Sequence, residues 1–171
     1  MSHAISSATV TIDHVHLRVN DLERAMAFYR DVLGFFVTVD GPALGLPTVF
    51  LGAGHYHHIA LSTFGAIATD RTPSGSPGQY RFGLVYPDAG ELVETVERLT
   101  KHQYPISYGS DQGVTVSIYL TDPDGNAVAL YYDRPREQWL DASGRVTVKS
   151  ERFDPADLMS VLQRPAQHVA A

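Results

Sequence analysis

The stretch IDHVHLRVND, residues 12–21, decides the fold because two periodicities meet in it. Its first residues alternate, so that His14 and His16 share one face of a predicted strand. Asp21 then precedes a stretch in which apolar residues recur every three or four positions, as is typical of an amphipathic helix with an acidic N-cap. The sequence therefore predicts a strand that carries two imidazoles on one face and leads directly into a helix.

The rest of the first half continues this unit. The helix is predicted to end at Gly34, because glycine accepts the left-handed backbone that often follows a helix. Further strands are predicted at Phe35–Asp40, Thr48–Leu51 and Tyr56–Phe64. Residues 69–78, TDRTPSGSPG, are rich in Pro, Gly and Ser and predict a linker.

The pattern restarts after the linker. A strand is predicted at Gln79–Tyr86, followed by a helix that Asp88 caps, with Glu91 at capping-box spacing. Strands are then predicted at Ile106–Tyr108, Val114–Leu120 and Ala127–Tyr132. A polar hairpin is predicted at Asp141–Lys149, and a short helix that Asp154 caps is predicted at Pro155–Leu162.

Two ungapped overlays support an internal repeat. Residues 14–21 align with residues 81–88 at an offset of 67, and residues 48–61 align with residues 117–130 at an offset of 69. The sequence therefore predicts an α+β fold of two β-α-β-β-β modules whose sheets form one curved-sheet cleft. The predicted parts are an N-terminal extension (1–10), a first module (11–68), a linker (69–78), a second module (79–140) and a C-terminal hairpin, helix and tail (141–171).

The composition excludes several classes of function. Thirteen Lys and Arg against nineteen Asp and Glu give a net charge of −6, which argues against a nucleic-acid surface. The chain has no cysteine, so disulfides and thiolate metal sites are excluded. No apolar run approaches the ~20 residues of a membrane span, and the N-terminal residues lack the charged start and apolar core of a signal peptide. We expect a cytoplasmic protein without membrane or nucleic-acid partners.

Two long segments, HVHLRVNDLERAMAFYRDVLGF and YLTDPDGNAVALYYDRPREQW, open the first module and close the second. Together they resemble the vicinal oxygen chelate superfamily, which includes glyoxalase I, bleomycin-resistance proteins and extradiol dioxygenases. The segment FLGAGHYHHIALSTF and the ending DRPREQW look most like the catechol 2,3-dioxygenase branch. The resemblance implies a cleft for a small molecule, a metal ion in that cleft and a homodimer.

The ligand positions that the resemblance implies are mostly vacant. The first histidine ligand falls on His14, but the second falls on Arg81, and the two carboxylate positions fall on Ala60 and Ala129. A guanidinium stays protonated and has no lone pair to donate, so Arg81 is not a ligand. We expect no metal cofactor, with Fe(II) or Mn(II) as the alternative.

Other features of the resemblance point to an aromatic ligand. His58 matches a histidine that handles protons in catechol cleavage, and Tyr119 matches a tyrosine that hydrogen-bonds the catechol. These two residues are the expected catalytic residues, while Arg81, His16 and Tyr131 are the expected ligand-binding residues. The leading prediction is a protein that binds a small phenolic or anionic aromatic molecule, or performs metal-free acid–base chemistry on it.

Two alternatives stay open. One is a metal-dependent extradiol dioxygenase or isomerase whose site is rearranged onto His14, His16 and His58, since neutral imidazoles are good ligands. The other is a resistance protein that sequesters a drug or toxin.

Several residues are also interpreted without a functional role. His55 and His57 are expected to be surface imidazoles, and Arg81 has Asp13 as a structural ion-pair partner. The segment Asp122–Asn126 is interpreted as a turn, because it lacks the later ligands of a calcium loop. A histidine that the resemblance implies in an earlier turn, residues 111–113, is here Gln112.

Overall fold

A computed structural model describes residues 12–54, 57–64, 79–140, 143–146 and 148–164. The first module comprises β1 (Val15–Arg18), α1 (Leu22–Ala27), β2 (Phe36–Asp40), β3 (Thr48–Gly52) and β4 (His57–Ser62). The second comprises β5 (Phe82–Tyr86), α2 (Ala89–Lys101), β6 (Ile106–Asp111), β7 (Thr115–Thr121) and β8 (Ala127–Asp133). A short strand, β9 (Glu151–Phe153), and a helix, α3 (Leu158–Gln163), follow. The predicted linker 69–78, the tail 165–171 and His55 lie outside the described residues.

Each module contributes one mixed sheet. The strand orders are β1-β4-β3-β2 and β5-β8-β7-β6-β9. In the first sheet Val15 pairs in parallel with Ile59, and in the second Phe82 pairs in parallel with Val128. These two pairs are related by the offsets of 67 and 69 found in the sequence. The predicted α+β fold of two β-α-β-β-β modules is therefore confirmed.

The helix caps lie where the sequence predicts them. Asp21 accepts a hydrogen bond from the backbone N–H of Arg24 at 3.0 Å, and Asp88 accepts one from the N–H of Glu91 at 3.0 Å. After α1 the chain forms a wider π-helical turn, Phe28–Val32, before Gly34 ends it with a φ of +87°. A residue with a Cβ rarely adopts that φ.

One face of each sheet packs in the core. Leu17, Ile59 and Leu130 are buried in one apolar cluster with helical residues such as Phe28 and Leu99. Since side chains alternate along a strand, the residues between these core positions point to the opposite face of each sheet. That arrangement leaves the histidines and tyrosines of the sequence analysis on the faces that turn away from the core.

The Asp122–Asn126 turn joins the two modules. Asp122 accepts a hydrogen bond from the hydroxyl of buried Tyr29 at 2.9 Å, and it also accepts the N–H of Asn126 at 2.7 Å. Asp124 accepts hydrogen bonds from the backbone of Asn20 at 3.0 Å and from the guanidinium of Arg24 at 2.8 Å. The interpretation of this segment as a turn is confirmed, and its carboxylates connect the second module to the first helix.

The C-terminal segment contains a strand that the sequence analysis did not predict. Strand β9 extends the second sheet by pairing with β6. The predicted helix cap is confirmed, since Asp154 accepts the N–H of Ala156 at 3.0 Å. Buried Arg134 holds α3 in place by donating to the carbonyl of Val161 at 3.0 Å and to the carboxylate of Asp111 at 3.2 Å. None of the helices in the described ranges is long and apolar enough to cross a membrane.

Candidate functional site

Two clusters of polar and aromatic side chains lie on the sheet faces that turn away from the core. Residues paired across neighbouring strands share a face, so the pairs His16–Ala60 and Phe50–Ala60 place His16 and Phe50 on one face of the first sheet. The pairs Gly83–Ala129 and Tyr119–Ala129 define the equivalent face of the second sheet.

A β-bulge decides which histidine of β4 joins the first cluster. Leu51 pairs with Ile59, but Gly52 pairs with His57, so His58 is an extra residue in the ladder. A bulge reverses the alternation beyond it, and His57 therefore takes the face that His58 would occupy in a regular strand. The ring centroid of His57 lies 4.9 Å from that of Phe50.

The first cluster consists of Asp13, His14, His57 and Phe50. The Oδ2 atom of Asp13 lies 2.8 Å from Nδ1 of His14 and 3.4 Å from Nε2 of His57. The two imidazole rings are 5.6 Å apart, and the ring of His14 is 5.7 Å from that of Phe50. The hydrogen bond with His14, together with the nearby His57, holds the pKa of the Asp13 carboxyl below its usual value.

The other two histidines of this sheet make separate contacts. The Nε2 atom of His16 lies 3.0 Å from the hydroxyl of Ser62, and Nδ1 of His58 accepts the N–H of Ala53 at 3.3 Å. Among the described residues, the only group of three His, Asp or Glu side chains whose ligand atoms lie within 4.8 Å of one another is Asp13, His14 and His57. The set His14, His16 and His58 is therefore not brought together. His57, expected as a surface imidazole, is partly buried beside His14.

The second cluster is a stack of aromatic rings and guanidinium groups. Tyr119 stacks on Tyr108, with the ring centroids 4.6 Å apart and the planes at 29°. The guanidinium carbon of Arg81 lies 4.7 Å from the centre of the Tyr119 ring, and that of Arg152 lies 4.4 Å from the centre of the Tyr108 ring. Each distance is within the range of a cation–π interaction.

A glycine makes room for the remaining tyrosine of this cluster. A Cβ atom at Gly83 would lie 2.5 Å from the ring of Tyr131, closer than real Cβ atoms approach their neighbours. The ring of Tyr131 meets Tyr119 edge to face at 6.4 Å. Gln112, which replaces the histidine implied by the resemblance, donates from Nε2 to the hydroxyl of Tyr119 at 3.2 Å.

The tyrosines also set the electrostatics of the second cluster. Partial burial acts to lower the pKa of Arg81, but the surrounding tyrosines, Tyr119 and Tyr131 foremost, outweigh it and raise that pKa. Burial is likewise the main cause that raises the pKa of Tyr131, with Tyr119 adding to it and Arg81 partly offsetting it. Arg81 is thus a permanent cation beside the ring of Tyr119.

The structure therefore divides the residues that the sequence analysis singled out. It brings together Arg81, Tyr119 and Tyr131 on the second sheet, whereas His14, His16 and His58 belong to the first. The suggested ion pair between Arg81 and Asp13 is wrong, since the described ion pairs of Asp13 are with His14 and His57.

The sequence analysis missed two members of the second cluster. Tyr108 pairs with Tyr119 because the ladder shifts by one residue after Ile106, whereas strict alternation from Ile106 would turn Tyr108 to the core face. Arg152 was missed because its strand was not predicted.

The residues at the implied metal positions do not fit the ion. Ala60 and Ala129 are fully buried and have no donor atom, while the guanidinium of Arg81 lies against two tyrosine rings. Only His14 offers a ligand at these positions. An Fe(II) or Mn(II) site built on this set would lack the second imidazole and the carboxylate that such ions prefer.

Comparisons with known proteins agree with the fold. The profile of the glyoxalase/bleomycin resistance protein/dioxygenase superfamily matches residues 11–130. A catechol-2,3-dioxygenase from Bacillus subtilis is 30% identical over 159 residues, which cover 86% of this chain and 50% of that enzyme. Biphenyl-2,3-diol 1,2-dioxygenase 3 from Rhodococcus globerulus is 32% identical, with 74% of this chain and 65% of that enzyme covered. This chain thus spans about half to two thirds of the length of these relatives.

A solved structure extends the agreement. The lactoylglutathione lyase of Agrobacterium tumefaciens superposes with a TM-score of 0.55 and 27% identity, and the match covers 74% of this chain and 96% of that one.

Proposed function

Because this chain belongs to the glyoxalase/bleomycin resistance protein/dioxygenase superfamily, we propose that it binds a small anionic aromatic molecule on the second sheet, without the metal ion that the resemblance implies. The observation that carries the proposal is the position of Arg81, whose guanidinium lies 4.7 Å from the centre of the Tyr119 ring. A fixed cation among phenol groups suits a ligand that combines a negative charge with an aromatic ring.

The chemistry of each side chain defines the ligand. The guanidinium of Arg81 donates two parallel hydrogen bonds to a carboxylate, or one to a phenolate. The hydroxyls of Tyr119 and Tyr131 donate to or accept from a ring hydroxyl. A hydroxybenzoate, with its carboxylate beside Arg81 and its hydroxyl beside the tyrosines, uses all three groups.

The local charge argues against a cationic ligand. The chain as a whole carries −6, but this face holds Arg81 and Arg152, and no acidic residue among the described ones forms an ion pair with Arg81. A cationic drug would meet like charge here, so sequestration of such a drug is disfavoured.

The relatives support a phenolic ligand, since catechol and biphenyl-2,3-diol, after which these dioxygenases are named, are both phenols. Their dioxygenase activity is not part of the proposal, because Arg81 and Ala129 offer no metal ligand. A catalytic role for His58, which lies on the other sheet, stays a prediction, and so do the homodimer and the cytoplasmic location.

The proposal is tested by calorimetric titration of chelator-treated protein with 2-hydroxybenzoate, in the wild type and in Tyr119→Phe. Loss of one neutral hydrogen bond is worth ~0.5–1.5 kcal/mol, so we expect the Kd of Tyr119→Phe to rise about 2- to 12-fold. The matched control is Tyr132→Phe, because Tyr132 follows Tyr131 and therefore lies on the opposite face of β8. Absence of binding by the wild type, or an equal loss in both variants, would contradict the proposal.

A further inference from the structure

We propose that Asp13, His14 and His57 form a binding site for a divalent transition-metal ion of the zinc class, on the first sheet. The site shares only His14 with the ligand set that the resemblance implies. It does not depend on the proposed function, since Arg81 and the tyrosines belong to the other sheet.

The distances between the donor atoms fit a small ion. Zinc binds imidazole nitrogen and carboxylate oxygen at ~2.0–2.1 Å in a tetrahedron, which places neighbouring donor atoms about 3.3 Å apart. Here Nε2 of His57 lies 3.4 Å from Oδ2 of Asp13, and Nδ1 of His14 lies 2.8 Å from the same oxygen. All three donor atoms lie within 4.8 Å of one another. The three donor atoms are therefore close enough to share one ion after small movements of side chains that are not fully buried.

The backbone and the neighbouring ring position both imidazoles before an ion arrives. The bulge opposite Gly52 turns His57 to the face of Phe50, and the aromatic ring of Phe50 lies 4.9 Å from His57 and 5.7 Å from His14. Packing on a common ring restricts the rotamers of both histidines. Less conformational entropy is then lost on binding than for histidines on a mobile loop.

The partners of Asp13 favour a cation at this place. Its described polar partners are two imidazoles, whose ring nitrogens are good metal donors, and no Lys or Arg of the described residues pairs with it. Two imidazoles and one carboxylate supply one negative charge and three donors. That number of protein ligands leaves one tetrahedral position for water or another molecule, as in zinc sites that are not purely structural.

The test is a Zn²⁺ titration of chelator-stripped, tag-free protein in competition with a chromophoric chelator. We compare the wild type with His57→Ala, Asp13→Asn and the matched control His58→Ala, which removes the neighbouring imidazole. Circular dichroism of each metal-free variant checks that it is folded. Titration with Co²⁺ adds an absorption spectrum that reports the coordination of the ion.

We expect one zinc ion per chain in the wild type and in His58→Ala. His57→Ala and Asp13→Asn should each weaken binding by at least about 10-fold, since even the loss of an outer-shell partner costs that much at known sites. The proposal is overturned if the wild type does not bind zinc, or if His57→Ala binds it as the wild type does. Loss of binding in His58→Ala instead would move the site to the rearranged set of His14, His16 and His58.

Discussion

Replacing Arg81 with methionine tests most directly whether the second cluster binds an anionic ligand. Methionine keeps an unbranched apolar side chain but removes the charge and all hydrogen-bond donors. Hydrogen bonds from a charged donor contribute ~1.5–3 kcal/mol. If Arg81 binds the carboxylate of 2-hydroxybenzoate, Arg81→Met should raise the Kd roughly 10- to 150-fold.

A matched ligand separates the charge of Arg81 from its packing. Catechol has the ring and the hydroxyl groups but no carboxylate. In Arg81→Met its binding should therefore lose only the cation–π interaction between the ligand ring and the guanidinium, which lies beside Tyr119. That contribution is about 0.5–1 kcal/mol at an exposed site, which corresponds to a change of about 2- to 5-fold. Both ligands are titrated calorimetrically into the wild type, Arg81→Met and the control Arg136→Met, whose arginine is exposed after β8.

The two ligands give the decisive comparison. A much larger loss for 2-hydroxybenzoate than for catechol supports a carboxylate at Arg81. Equal losses for the two ligands, or an equal effect of Arg136→Met, would refute the reasoning, because the guanidinium would then act on packing or on the net charge alone.

Three further predictions concern stability. Tyr29→Phe removes a hydrogen bond to a buried carboxylate, and it should lower the free energy of unfolding in urea by about 1.5–3 kcal/mol, whereas Tyr80→Phe, at an exposed side chain, should not change it. Arg134→Met removes one of the cationic partners of the buried Asp111 carboxylate. It should lower the free energy of unfolding by roughly 3–5 kcal/mol, whereas Arg136→Met should not change it measurably. Burial, and then the charge of a nearby aspartate, raise the pKa of Tyr104 to about 12. The folded protein therefore holds this proton more tightly than the unfolded chain does. The free energy of unfolding should then fall as the pH rises from about 10 towards that value. Phenolate absorbance followed against pH checks the last prediction, and a Tyr104 that titrates in its ordinary range would contradict it.

Much of the fold follows from local sequence signals. The helix caps at Asp21 and Asp88 lie where the side-chain chemistry predicts them, and the two overlays match the strands of one module to those of the other. These features depend on neighbours a few positions away, or on a repeat that is visible in the chain itself. That is why alternation and spacing were sufficient to predict them.

The first cluster was harder to predict because it depends on one bulge. Strict alternation places His58 with His16, but the extra residue opposite Gly52 exchanges His58 for His57. A bulge depends on how two strands pair, which a single strand does not reveal. The same limit applies to Arg152, whose strand is only three residues long and is stabilised by pairing with the edge of β6.

The second cluster was predicted in part for a different reason. Arg81, Tyr119 and Tyr131 share one face by alternation along β5, β7 and β8, and those strands are regular. Tyr108 was missed because a register shift between Ile106 and Tyr108 moves it to the face of Tyr119. Regular strands thus preserve what alternation predicts, and irregular ones do not.

The proposed ligand, a small anionic aromatic molecule, binds at Arg81 without a metal ion. The most direct measurement is a crystal structure of chelator-treated protein with 2-hydroxybenzoate. We expect density on the second sheet, with a carboxylate oxygen ~2.7–2.9 Å from the guanidinium of Arg81 and the ring hydroxyl beside Tyr119. A ligand bound elsewhere, or one whose carboxylate turns away from Arg81, would contradict it.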